Sequence, residues 1–78
     1  MSPKFLEKSG FVFKIYSKEE IRMHVHIISA EKMAKCWLEP TLELAENKGF
    51  KEYEITKILK IIAENEQSFK DKWKQHLG

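Results

Sequence analysis

Apolar and polar positions alternate in twos over the first half of the chain and recur in threes and fours over the second, with the change of period near residue 40. Behind Gly10, the residues Phe11, Phe13 and Ile15 alternate with Val12, Lys14 and Tyr16, which predicts a strand with one strongly apolar face. Ser17-Lys18-Glu19-Glu20 is a polar break, and residues 23–28 alternate again and are rich in β-branched side chains, predicting a second strand. Ser29-Ala30-Glu31 makes a short turn into a third strand over 32–38. Pro40 lacks a backbone donor and ends it, leaving 41–45 as either a short fourth strand or one helical turn.

After a turn at Asn47-Lys48-Gly49, the period from Lys51 is helical, with Ile55, Ile58, Leu59 and Ile62 on one stripe. An unbroken helix would put the Glu66 carboxylate into that stripe, so a break is expected near Asn65. Ser68 with Asp71 three residues on has the form of a capping box opening a second helix, which places Phe69 and Trp73 on one face. The predicted fold class is α+β: a three- to four-stranded antiparallel β-meander followed by two C-terminal α-helices packed on one face. The whole chain, 1–78, is expected to be one domain, with a sheet half over 1–45 and a helical half over 50–78.

Strand parity turns this outline into surfaces. Met23, Val25 and Ile27 share the core face with Ala34, Cys36 and Leu38, while His24 and His26 project to the other face together with Lys35, Trp37, Lys14 and Tyr16. Two imidazoles beside a lysine are the equipment of metal-independent phosphodiester cleavage. One would take the 2′-hydroxyl proton, the other would protonate the leaving oxygen, and Lys35 would stabilise developing charge. His24, His26 and Lys35 are therefore the candidate catalytic residues, and Tyr16, Lys14 and Trp37 the candidate binding residues, the two aromatics as stacking platforms. The bland alternative is a sheet face whose polar rings sit in water, or lie beneath a partner or the chain's own second helix. His-x-His on a strand also suits a metal, but parity sends the lone thiol of Cys36 to the core. A third ligand would have to be Glu31, Glu39 or His76, so no metal and no cofactor is expected.

Composition narrows the setting. A chain of 78 residues can bury about 60–65% of its unfolded surface, enough for one modest core. A single cysteine allows no internal disulfide, so packing must supply stability, and a reducing compartment fits. No stretch has the form of a leader or of a span of about 20 apolar residues, and a cytoplasmic protein without membrane contact is expected. The formal charge of +2 is too balanced to announce a nucleic-acid binder. Residues 1–35 hold seven basic and four acidic side chains, net +3, which makes the sheet half mildly basic.

Gly10-Phe11, Phe13, Ile15-Tyr16-Ser17, His24-Val25-His26, Ala34-Lys35 and Trp37-Leu38-Glu39-Pro40 occur together and in order. They are followed by Leu44-Ala45, Asn47, Gly49-Phe50, Glu54-Ile55, Ile58, Glu64-Asn65 and Trp73. In this ordered set the chain resembles the bacterial Domain of Unknown Function family 4160 (DUF4160). The resemblance implies a short prokaryotic protein, often encoded beside another small gene and associated with toxin–antitoxin modules. Two departures stand out. The family usually has prolines before its His-x-His strand, where this chain has Arg22-Met23, and Ser or Thr at Lys51, so the first helix loses an N-cap that typically contributes about 1 kcal/mol.

Three functional expectations follow. The first is a toxin–antitoxin component acting through protein contact and an RNA contact on the His24/His26 sheet face, with a small partner encoded nearby. The second is an endoribonuclease using the histidine pair. The third is a non-catalytic oligomeric adaptor, for which a homo-oligomer would suffice.

Overall fold

A computed structural model of the chain describes residues 4–15 and 22–77, in which five strands precede two helices. The strands β1 (Lys4–Lys8), β2 (Phe11–Lys14), β3 (His24–Ser29), β4 (Lys32–Trp37) and β5 (Glu43–Lys48) form one sheet in chain order, every neighbouring pair antiparallel. The α+β class holds, with five strands in place of three or four. β1 is the addition. Three of its five residues are charged, which hides the alternation, yet Leu6 pairs with Phe13 and packs against the core. Ser9 and Gly10, at φ 56° and 84°, form the two-residue turn that sets Lys8 opposite Phe11. The region left open at 41–45 resolves into β5, which starts at Glu43 and absorbs Asn47 and Lys48 from the expected turn.

Pairing of Phe13 with Ile27, Ile27 with Ala34, and Val25 with Cys36 gathers one face of the sheet into the core, as parity predicts. Against it lie α1 (Glu52–Glu64), through Ile55, Ile58, Ile61 and Ile62, and α2 (Glu66–Leu77), whose Phe69 ring stands 5.6 Å from that of Phe13. Each buried isoleucine contributes about 1.5–3 kcal/mol. Ile61 joins the expected stripe, whereas Leu59 is only half-buried at its margin.

The link from β5 to α1 is closed by side chains. Asn47 donates Nδ2–H to the Phe50 carbonyl at 3.0 Å and accepts the Phe50 N–H on Oδ1 at 3.1 Å, around Gly49 at φ 103°. Lys51, the N-cap, offers no acceptor. Glu54 compensates, accepting the Lys51 backbone N–H at 2.9 Å and the Lys32 ammonium at 2.8 Å, and so tying α1 to β4.

The break near Asn65 is present. There the amide side chain donates to the Ile61 carbonyl at 2.8 Å, and the Asn65 carbonyl accepts the Phe69 N–H at 2.9 Å. The second helix therefore begins at Glu66, and the expected Ser68–Asp71 capping box is not its start. Asp71 instead accepts from Gln67, one turn back, at 3.0 Å. No helix among the described residues is long and apolar enough to cross a membrane.

Candidate binding face

Side chains at even positions of β2 and β3 and odd positions of β4 point away from the core, and the register aligns them in rows. Lys14, His26, Lys35 and Glu46 form one row across four strands, and His24, Trp37 and Glu43 form the next. Thus Lys14, His24, His26, Lys35 and Trp37 do converge as their spacing suggests. Tyr16 lies outside the described residues.

The convergence is not an open, water-facing histidine pair. His24 is fully buried and His26 is 6% exposed. Polar parity sends them away from the aliphatic core, but aromatic side chains close over His24. The His24 ring meets Trp37 at 5.8 Å, His26 at 5.2 Å and Trp73 at 4.9 Å between centroids, each edge-on. Trp73 lies one turn beyond Phe69, so α2 is anchored at two places, on Phe13 of the core face and on His24 of the other. Trp73 belongs with Phe69 to the buried core cluster, and its contact brings α2 onto the His24 end of β3 as well. The Nδ1 of His24 lies 2.7 Å from the Arg22 carbonyl, which can only accept, so Nδ1 carries the proton and the ring orientation is fixed.

Arg22, which parity also places on this face, was missed as a site residue for want of a regular strand at its position. Its guanidinium carbon sits 4.2 Å from the centre of the Trp37 ring, and the Lys35 ammonium sits 4.5 Å away. Arg22 donates Nε–H to the Glu39 carbonyl, two residues beyond Trp37, at 2.8 Å, whereas Lys35 lies two residues before it. Both cations thus lie over the one indole, Lys35 from its own strand and Arg22 from the segment before β3. Each contact is worth about 0.5–1 kcal/mol at a partly exposed site. Glu43 anchors the guanidinium from β5 at 3.8 Å. Trp37 and Lys35 are half-buried, as is Lys14.

The family comparison covers these elements. The domain of unknown function DUF4160 matches residues 10–74, which span β2 through most of α2. The chain belongs to DUF4160. The match takes in both histidines, both tryptophans, Lys14, Arg22 and Lys35. Comparison with curated proteins and with solved structures returned no match. Any residue could present the carbonyl that orients His24, but only Arg22 adds the guanidinium over Trp37.

Cys36, paired with Val25 on the core face, is fully buried, and burial pushes its thiol up to about 12, well away from nucleophilic use. Among the described residues, no three or more His, Cys, Asp or Glu side chains gather as a metal site would require. Of the acids considered as third ligands, Glu39 contributes its backbone carbonyl to Arg22, and the His76 side chain lies outside the described residues.

Proposed function

We propose that this DUF4160 protein is a component of a toxin–antitoxin type module that acts by contact with a small protein encoded beside it, through the sheet face centred on Trp37. The observation that carries this reading is the half-buried Trp37 indole with Arg22 and Lys35 over its ring, on the face away from the apolar stripe of α1. A large aromatic fixed in place beside arginine is the composition of an interface anchor, because little side-chain freedom is left to lose on binding. Val12, Ile28 and Met33 form a half-buried apolar row farther along the same face. The toxin–antitoxin setting rests on the family resemblance.

Burial of both imidazoles favours contact over catalysis, since a 2′-hydroxyl cannot reach a ring with almost no exposed surface. An RNA contact would run through Lys14, Lys35 and Arg22 to phosphate. The test is co-expression with the product of the adjacent gene, followed by size-exclusion chromatography. Co-elution with the wild type, and its loss with Trp37→Ala while the circular dichroism is unchanged, is expected. Failure of the wild type to co-elute overturns the reading. Growth arrest and RNA cleavage that are abolished in a folded His24→Ala/His26→Ala variant would establish the endoribonuclease instead.

A further inference from the structure

Trp37 does its work on one face of the sheet, and α2 is anchored to the other face through Phe69. His24 lies between them. Its fully buried ring touches Trp37 on one side and Trp73 on another, at 5.8 and 4.9 Å, while its Nδ1–H is pinned to the Arg22 carbonyl. Arg22 in turn lies over Trp37. Close-packed interiors transmit displacement because a ring that loses one wall shifts toward the space and forfeits contact on its other side. Phe69 packs on Phe13 of the core face, one helical turn before Trp73, so the first turns of α2 have a hold of their own when the contact at Trp73 is disturbed.

We propose that His24 is a positioning residue that couples the Trp37 face to the C-terminal turns of α2, so that what happens to Trp37 is felt at Trp73. Its use in regulating partner contact rests on the function proposed above. The coupling itself is a property of the isolated chain. A partner that immobilises Trp37 tightens the docking of Trp73, and a partner that displaces the indole loosens it. α2 thereby reports occupancy of a face that it touches at Trp73. By reciprocity, anything that detaches α2 weakens contact at Trp37 by the same factor.

The chain contains two tryptophans, Trp37 and Trp73, so any substitution at 37 leaves Trp73 as the sole indole reporter. The experiment compares Trp37→Phe, which keeps an aromatic wall against His24, with Trp37→Ala, which removes it, both in the full-length chain. Loss of an edge-on aromatic contact should raise the population with Trp73 undocked roughly two- to tenfold. It is read as a red-shifted emission and increased acrylamide quenching in Trp37→Ala relative to Trp37→Phe. The same comparison in a His24→Ala background should show no difference, because the connecting ring is gone. Amide exchange should rise over residues 73–77 without a matching rise in α1.

Identical Trp73 emission in Trp37→Phe and Trp37→Ala overturns the coupling, as does a difference that persists in full without His24. Uniform acceleration of exchange across both helices also overturns it, since that marks general destabilisation. Should His24→Ala fail to fold, the Phe–Ala comparison at position 37 and its exchange map still decide. Because these measurements need no partner, failure of the complex to form and failure of the coupling are read separately.

Discussion

Gly49→Ala tests whether the β5–α1 junction is as tightly built as its contacts indicate. Gly49 has φ 103°, where an L-residue is strained whatever the space around it, and a Cβ there would lie 3.0 Å from Cγ of Lys32. Lys32 cannot simply swing away, because its ammonium is held by Glu54 at 2.8 Å and lies 5.7 Å from the Phe50 ring centre. Backbone strain of this kind costs about 1–3 kcal/mol. Displacing Lys32 also forfeits part of its ion pair with Glu54, while the stiffer unfolded chain returns about 0.4–1 kcal/mol. The net expectation is destabilisation by about 1–3 kcal/mol, equivalent to a melting-temperature drop of roughly 4–24 °C for a chain this size. Urea denaturation followed by circular dichroism measures it. Lys32→Ala in the same background removes the steric part and leaves the backbone part, so the double mutant should recover about 1 kcal/mol relative to additivity. A Gly49→Ala cost below about 0.5 kcal/mol would refute the reasoning.

Three further outcomes are expected. Ala30, at φ 54° in the β3–β4 turn, pays for a left-handed conformation, so Ala30→Gly should stabilise the chain by about 0.5 kcal/mol in urea; destabilisation would deny the strained turn. Hydrogen bonding from Lys32, then from the Lys51 backbone, holds the Glu54 carboxylate below its ordinary range. Its stabilisation is thus present above the unfolded-state value and lost as pH falls through the folded one, so wild type and Glu54→Gln should differ in melting temperature at neutral pH and converge in acid. Burial that pushes the Cys36 thiol up to about 12 makes it inert: a thiol-specific disulfide reagent should react at the rate of chain opening and speed up in urea, and immediate reaction of the native protein would contradict its placement.

Features set by local periodicity and parity were legible in the sequence. The alternation of Phe11, Phe13 and Ile15, the sorting of Cys36 to the core and the break at Asn65 each depend on a few adjacent residues and the period of the backbone. β1 was not legible, because Lys4, Glu7 and Lys8 leave Leu6 as the one core-directed signal among its described side chains. Parity also identified the face shared by Lys14, His24, His26, Lys35 and Trp37. It could not decide between a water-facing His24 and one beneath the second helix, because the rings against it come from Trp37 on another strand and Trp73 on the last helix. Long-range closure of that kind has no local signature. Ser68–Asp71 failed for the opposite reason: the motif was real as spelling, but Asn65 had already turned the chain into α2.

Both edges of the sheet bear on how a partner could engage it. β1 carries a register shift between Lys4 and Leu6, and β5 opposes one between Lys35 and Cys36, so each edge strand presents an interrupted row of backbone donors and acceptors. Bulges and charged residues such as Glu43, Glu46 and Lys48 are the usual means of blocking strand addition. Contact through a face is left as the route consistent with this construction, and the two faces differ. One is filled by the apolar stripe of α1 and by Phe69. The other sets two cations over Trp37 and braces it with a histidine whose proton is tied to a backbone carbonyl. An aliphatic residue at 24 would fill the same space at lower desolvation cost, but it could not fix its orientation through a hydrogen bond. The polar ring under Trp37 makes structural sense if the orientation of the indole matters, as it does for an anchor that must meet its partner preformed.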